Sequence, residues 1–216
     1  MNRRKLLCVV TVCSGLFISL LNSNCCFSKT AVDENTSKSV NGNLAGLDVA
    51  NEQYKQGLNY AKYGLYDEAI DMYKKSLLRE PNNSDAYKNM GIAYLQKEKY
   101  DEAIEALQKV IELKPKDYDA CYTLGTAYFD KGIYDKAIEN FKKTLQISPE
   151  HKATFFLLGI AYAKVGKYDD AIKMLKKRIE FDPNLAIAYS NLGIVYSMKG
   201  SDKEAFAEFR KALDID

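Results

Sequence analysis

From residue 50 onward, the apolar and polar residues of this chain follow a pattern typical of paired amphipathic helices. Each apolar stretch at helical spacing is followed by a short polar segment and then by a second apolar stretch that leads to a proline. Apolar residues at this spacing predict helices with one buried face. Proline ends a helix because it lacks the backbone N–H and disfavours helical geometry in the residue before it. The pattern therefore predicts an all-α fold without strands.

A single period of 34 residues runs through this pattern. Four residue types keep it: a glycine, a tyrosine three residues later, an alanine twelve residues after the glycine, and a proline. The glycines, alanines and prolines are Gly57, Gly91, Gly125, Gly159, Gly193, Ala69, Ala103, Ala137, Ala171, Ala205, Pro81, Pro115, Pro149 and Pro183. The sequence thus predicts five helix-turn-helix repeats, at 50–83, 84–117, 118–151, 152–185 and 186–216.

The recurring glycines indicate close packing of the two helices in each repeat. Glycine inside a helix costs about 1 kcal/mol relative to alanine, so five glycines at one phase need a packing reason. We expect the alanine of the second helix to face the glycine of the first. Further glycines, Gly132, Gly166 and Gly200, are placed for the tight turn between the two helices.

These glycines, tyrosines, alanines and prolines, at these spacings, resemble the tetratricopeptide repeat family. The resemblance covers residues 50–216 and implies a right-handed α-solenoid of five repeats that binds a protein or peptide segment in a concave groove lined by the first helices. Carried over position by position, the inward residues are Tyr54, Asn89, Ile92, Tyr122, Thr126, Phe129, Phe156, Leu157, Ile160, Asn191 and Ile194.

The predicted groove is mainly apolar and aromatic. Such a surface suits an apolar segment, for example one face of an amphipathic helix. The Lys and Asn clamp of chaperone-binding family members is absent, since Asn89 alone fits one of its positions. The alternative is that the same side chains pack partly against adjacent helices, and the sequence leaves both alternatives open.

The N-terminal 28 residues predict export. Arg3, Arg4 and Lys5 precede sixteen uncharged residues from 6 to 21, which are followed by a small, polar stretch up to Ser28. This order is that of a secretory signal peptide, and sixteen residues fall short of the ~20 needed to span a membrane. A cleaved signal over 1–28 is the first interpretation, a retained membrane anchor the second, and lipidation of Cys25 a third. Residues 29–49 lack aromatics and predict a flexible linker.

Charge and reactive residues exclude several functions. The net charge is +2, and basic and acidic residues balance at 26 each from residue 50 onward, so no footprint for nucleic acid exists. The one histidine, His151, follows Pro149 in a turn and is expected at the surface. Cys121 has no neighbouring Cys or His, and no glycine-rich phosphate loop is present. The sequence predicts no catalysis, no metal, no cofactor and no small-molecule substrate.

Two functions follow from this reading. The first is a general exported scaffold, periplasmic or otherwise extracytoplasmic, that is either free or tethered to a membrane. The second is a dedicated assembly factor for a pilus, secretion or outer-membrane machine, similar to small repeat lipoproteins. The last repeat lacks the polar capping element that usually closes a solenoid. Three outcomes are open for its apolar edge: cover by a partner, self-association with a second copy, or an exposed edge that is simply tolerated.

Overall fold

The structure, a computed structural model, describes the backbone of residues 34–215 and the side chains of residues 46–215. Within these residues the chain forms ten helices and no strand, which confirms the all-α prediction. They are α1 Glu34–Lys62, α2 Tyr66–Arg79, α3 Ser84–Gln96, α4 Tyr100–Leu113, α5 Tyr118–Asp130, α6 Tyr134–Ile147, α7 Lys152–Lys164, α8 Tyr168–Phe181, α9 Ala186–Lys199 and α10 Asp202–Ile215. The predicted signal segment over 1–28, with Cys25, lies outside the described residues.

The repeat prolines set the ends of the second helices, as predicted. Helices α2, α4, α6 and α8 each end two residues before a proline. The intervening residue has ψ between 76° and 90°, well outside the helical range. Because the proline ring clashes with a helical residue before it, each second helix stops at the same place in its repeat.

The turn between the two helices of a repeat uses a residue in the left-handed conformation. Gly132, Gly166 and Gly200 have φ between 77° and 83°, which confirms their predicted role, and Gly64 has φ 75°. In the second repeat the same position holds Glu98, with φ 56°. This conformation is unfavourable for a residue with a Cβ, so the turn geometry is imposed there by the packed helices on either side.

The helical glycines lie at close helix contacts, and in each repeat the nearest atoms belong to a large side chain of the second helix. A Cβ placed on Gly125 would lie 2.6 Å from the ring of Phe141, and one on Gly91 would lie 2.8 Å from Cγ of Leu107. The residues facing the five glycines are Tyr73, Leu107, Phe141, Leu175 and Phe209. In the second and fourth repeats the alanine also faces the glycine, since the carbonyl oxygens of Ala103 and Ala171 lie 3.5 Å and 3.4 Å from a Cβ placed there. At Gly125 the nearest atoms belong to Phe141 rather than to Ala137, because this large side chain one turn further along the second helix lies across the glycine. The alanines are buried beside this contact, with 0% to 4% exposure.

The repeats stack in order, each on its neighbour. Every second helix from α2 to α8 packs against the first helix of the following repeat, and the first helices α3, α5, α7 and α9 also contact one another in sequence. The isoleucines after the repeat alanines fill these junctions and are 6% to 9% exposed: Ile70, Ile104, Ile138 and Ile172. Because the first helices lie side by side, the surfaces that they turn away from the second helices form one continuous face, which we call the inner face.

The first helix begins earlier than predicted. Residues 29–49 were expected to form a flexible linker, whereas the structure is helical from Glu34. No proline interrupts this stretch, so a helix that packs from Ala50 onward can continue towards the N-terminus. Leu47 and Val49, just before Ala50, are 44% and 42% exposed, so these two side chains contribute little to the core. Among the helices described, none is both long and apolar enough to cross a membrane.

Candidate binding groove

The inner face is formed by six positions of each first helix: the second, fifth, sixth, ninth, twelfth and thirteenth residues of the repeat. These positions lie opposite the buried face that carries the repeat glycine and tyrosine. All eleven residues predicted to bind a partner lie there, on α1, α3, α5, α7 and α9. Each of them is exposed or half-buried, and none is fully buried.

The inner face changes from polar to apolar along the array. The second position is Asn51, Asp85 and Asp119 in the first three repeats, then Ala153 and Ile187. The last two repeats thus carry one surface, which we call the apolar strip, made of Phe156, Leu157 and Ile160 on α7 and Ile187, Ile194 and Met198 on α9. On α9 the exposures are 56%, 48% and 50% in that order.

Two members of the apolar strip were missed by the sequence analysis. Ile187 and Met198 occupy the second and thirteenth positions, which the family comparison did not include. Both positions are exposed in every repeat, so their exposure does not result from their place in the last repeat. Their spacing from Ile194, seven and four residues, puts all three on one side of α9 and is the signal that could have found them.

Several predicted groove residues also pack against the core. Tyr122, Phe129 and Leu157 pack against the central hydrophobic cluster, and Phe156 packs against the C-terminal one. Tyr54 packs against the N-terminal cluster, with its ring centroid 6.0 Å from that of Tyr73. The two alternatives left open by the sequence therefore both apply: these side chains have a structural role and an exposed part.

His151 belongs to an aromatic cluster beside the groove. It precedes α7, and its ring centroid lies 4.8 Å from that of Tyr122 and 5.7 Å from that of Tyr118. Its Nδ1 lies 2.6 Å from Oγ1 of the buried Thr154. The expectation of a surface turn residue is thus corrected: His151 is half-buried and joins the third repeat to the fourth. This contact covers part of the Tyr122 ring.

The polar groups of the inner face bond mainly within the chain. The Asn89 amide donates to Tyr54 Oη at 3.1 Å and to the Asp85 carbonyl at 2.8 Å. Thr126 Oγ1 donates to the carbonyl of Tyr122, and the Asn191 amide donates to that of Ile187. Burial raises the pKa of the Tyr54 and Tyr122 hydroxyls, so both stay protonated to a higher pH than an exposed tyrosine does.

The charged side chains of the inner face are concentrated in the first three repeats. Lys88 Nζ lies 3.6 Å from an oxygen of Asp117 and 3.8 Å from one of Asp119, and Lys114 Nζ lies 3.2 Å from one of Asp85. Burial raises the pKa of the Asp130 carboxyl at the end of α5. In the last two repeats the only charged inner position is Lys164. The apolar strip is therefore suited to bury apolar surface of a partner rather than to attract charge.

Reactive groups are not clustered in the described part of the chain. Among residues 46–215, whose side chains the structure describes, no group of three or more His, Cys, Asp or Glu side chains is placed to hold a metal ion. Cys121 is buried, and burial raises the pKa of its thiol. A higher thiol pKa leaves less of the nucleophilic thiolate.

The fold and the inner face define an α-solenoid of helix-turn-helix repeats, and family models identify these repeats. Models described as tetratricopeptide repeat match residues 60–124 and 186–216, and one described as TPR repeat matches 161–200. A model of anaphase-promoting complex, cyclosome, subunit 3 matches residues 97–178. The chain belongs to the tetratricopeptide repeat family. It is a protein-interaction scaffold and not an enzyme.

Solved structures agree with this assignment. The crystal structure of MamA is 31% identical, covers 74% of this chain and 93% of its own, and has a TM-score of 0.71. MamA residues 41-end from Desulfovibrio magneticus RS-1 is 24% identical over 78% of this chain and 95% of its own, with a TM-score of 0.75. YrrB, described as a TPR protein with an unusual peptide-binding site, is 24% identical over 85% and 93%, with a TM-score of 0.72. The last two show the fold alone. No curated protein matches the chain.

Proposed function

We propose that this protein holds an apolar segment of another protein against the apolar strip of its last two repeats. The observation that carries the proposal is the exposure of Ile187, Ile194 and Met198 on one side of α9. Exposed apolar side chains that lie together mark interaction sites more often than single ones do. A groove between parallel first helices fits one face of an amphipathic helix, whose apolar residues recur at matching spacing.

The residues of the apolar strip on α7 and those on α9 contribute to binding in different ways. Phe156 and Leu157 on α7 are held in place by core contacts, so little side-chain freedom is lost when a partner binds them. The side chains on α9 are more exposed and gain more burial. Truncating a central anchor of such a surface typically costs about 2 kcal/mol or more of binding free energy. YrrB has the same fold and is described as binding a peptide, which supports this use of the fold without fixing the site.

The test removes apolar contacts without disturbing the core. Ile187→Ser with Ile194→Ser should abolish capture of the partner while leaving helicity and the melting temperature nearly unchanged, because both residues are about half exposed. The matched control is Leu78→Ser on α2, since Leu78 is 83% exposed and lies outside the inner face. Comparative affinity capture with quantitative mass spectrometry measures the outcome. Partners kept by the groove variant and lost by Leu78→Ser would place the site on the outer surface.

We further propose that the protein works outside the cytoplasm. The support is the basic start of the chain and the uncharged, mostly apolar segment over residues 6–21. The expected mature N-terminus lies between Cys25 and Ala31. Mass spectrometry of native protein measures it, and a cytoplasmic protein that still begins at Met1 or Asn2 would contradict export.

A further inference from the structure

One carboxylate of the inner face has no cation beside it. The inner positions hold three acidic residues, Asp85, Asp119 and Asp130. An oxygen of Asp85 lies 3.2 Å from Nζ of Lys114, and one of Asp119 lies 3.8 Å from Nζ of Lys88. In the described part of the chain, no lysine or arginine forms an ion pair with Asp130, which is exposed. Its negative charge is therefore not compensated within these residues.

Asp130 lies where the fold disfavours a negative charge. It is the last residue of α5, and the C-terminal end of a helix carries a partial negative charge of its own. The last turn of α5 contains no basic residue. Although Asp130 is open to solvent, the surrounding protein on the concave side removes part of its hydration, and this desolvation raises the pKa of its carboxyl. A charge at a position that is unfavourable for folding is typical of a functional residue.

The charge of Asp130 acts on the groove beside the apolar strip. Burial is the largest cause that raises the pKa of the Tyr122 hydroxyl, and the charge of Asp130 raises it further. The pKa of the Tyr100 hydroxyl is raised by burial and then by Glu98 and Asp130. Lys164 holds the equivalent position on α7, but it is exposed and does not lower the pKa of the Asp130 carboxyl. Since α5 contacts α7, the apolar strip has a negative edge on this side.

We propose that the segment bound by the apolar strip is a basic amphipathic helix, one lysine or arginine of which pairs with Asp130. The apolar face of this helix occupies the apolar strip, so the proposal rests on the proposed function and adds the chemistry of the partner. The basic residue supplies the cation that Asp130 lacks, in a charge-assisted contact that replaces lost hydration. Complementary charges at the edge of an apolar contact determine which partner binds and in which register.

The geometry of the array sets the spacing between the basic residue and the apolar ones. Helix α5 lies directly beside α7, which carries Phe156, Leu157 and Ile160 of the apolar strip. Packed helices lie about 8–10 Å apart, and a helix rises about 1.5 Å per residue. A partner helix that runs across the first helices therefore reaches Asp130 about six residues beyond the residues that contact α7.

The first experiment selects from a displayed library of amphipathic helices of about 25 residues, or seven turns. All members share one apolar face, and the positions about six residues beyond it at either end are varied among Lys, Gln and Glu. Selection on the immobilised full chain should enrich Lys at one of these positions. By fluorescence anisotropy, the selected peptides should bind about tenfold tighter than the same peptides with Gln there, since a charged contact is lost.

Exchange of single carboxylates assigns this preference to one residue. Asp130→Asn should remove the difference between Lys and Gln peptides, and Asp130→Lys should reverse it in favour of Glu peptides. The matched control is Asp135→Asn on α6, which removes a carboxylate that is also exposed but lies outside the inner face, and it should keep the difference. Absence of a basic preference, or a preference that survives Asp130→Asn, would overturn the proposal.

The melting temperature provides a readout that needs no partner. Asp130→Asn should melt at or above the temperature of the parent, because it removes a poorly hydrated charge from a helix C-terminus. A lower melting temperature would show that Asp130 has a stabilising contact within the chain, and would contradict its assignment to a partner.

The isoleucine variant of the groove separates this proposal from the proposed function. Ile187→Ser with Ile194→Ser should weaken binding of every peptide, whatever its charge. Peptides that show no charge preference but are lost in this variant would contradict the basic helix and support the apolar strip. A basic preference that the isoleucine variant retains in full would contradict the apolar strip instead. Absence of binding by every member of the library would contradict both.

Discussion

At the residue scale, the contacts opposite the repeat glycines determine how each helix pair packs. The facing side chain is aromatic in the first, third and fifth repeats and leucine in the second and fourth. In the first repeat it is Tyr73, which is fully buried, and its hydroxyl has no hydrogen-bond partner among the described residues. A buried hydroxyl without a partner is destabilising. Tyr73 therefore contributes less to the free energy of unfolding than its equivalent Phe141 does in the third repeat.

Replacing Tyr73 by Phe tests this cost. We expect Tyr73→Phe to leave the free energy of unfolding unchanged or to raise it by about 1 kcal/mol, because only an unpaired hydroxyl is removed. Burial also raises the pKa of Tyr73 to about 12. Between about pH 10 and 12 the tyrosine ionises in the unfolded chain but not in the folded one, so stability falls as pH rises. The variant should lose this part of the pH dependence in urea titrations.

The control for this change is Tyr54→Phe. Tyr54 accepts a hydrogen bond from Asn89 at 3.1 Å, so its hydroxyl has a partner to lose. We expect this variant to be less stable by roughly 0.5–1.5 kcal/mol. If Tyr73→Phe destabilised the protein as much as Tyr54→Phe, the buried hydroxyl would have to be bonded, for example to a water molecule.

Periodicity predicted the glycine contacts but not their partners. Gly125 was identified because glycine recurs at its position in every repeat. Phe141 was not, because the facing position varies between tyrosine, leucine and phenylalanine and therefore shows no period in residue identity. Ala137 does recur and was chosen instead. Recurrence of a residue type shows which positions tolerate only that type. Which residue contacts the glycine depends instead on how far its side chain reaches.

At the element scale, local sequence predicts where the second helices end and the repeats turn, but it does not predict where α1 begins. Proline and glycine act on the backbone itself, so their positions predicted where second helices end and where the repeats turn. The start of α1 at Glu34 carries no such residue. Its composition indicated only that the segment cannot build a core of its own, which does not by itself exclude a helix.

Glu98 provides a test of the turn between α3 and α4. It has the positive φ that glycine has in the other four repeats. Glu98→Gly should stabilise the protein by about 1 kcal/mol, because a left-handed residue with a Cβ carries a cost of that size. Gly132→Ala is the reciprocal control, since a Cβ there meets no atom within 4 Å and only the backbone strain changes. Equal stability of the parent and both variants in chemical denaturation would contradict the assigned strain.

The helices that carry the predicted groove residues could be located from sequence, but the exposure of the side chains could not. All eleven predicted residues lie on first helices, and none of them is fully buried. The share of each side chain left open depends on neighbouring helices: Tyr122 is partly covered by His151, whereas Ile194 stays 48% exposed. Ile187 and Ile194 are therefore better placed to gain burial from a partner than Phe156 and Leu157, which also pack against the core.

At the scale of the whole array, each repeat contacts only its immediate neighbours. In such an array stability is close to a sum of repeat terms and junction terms, and the ends are held by one junction instead of two. Opening of α9 and α10 should therefore require less free energy than opening of any central pair.

Two equivalent leucines test this local stability. Leu124 and Leu192 hold the same position in the third and fifth repeats and are 4% and 2% exposed. Either change to alanine should cost about 2–5 kcal/mol locally. In native-state hydrogen exchange, Leu192→Ala should speed exchange mainly in α9 and α10, while Leu124→Ala should affect helices on both sides of the third repeat, because it weakens two junctions. Uniform acceleration by Leu192→Ala would indicate one cooperative unit.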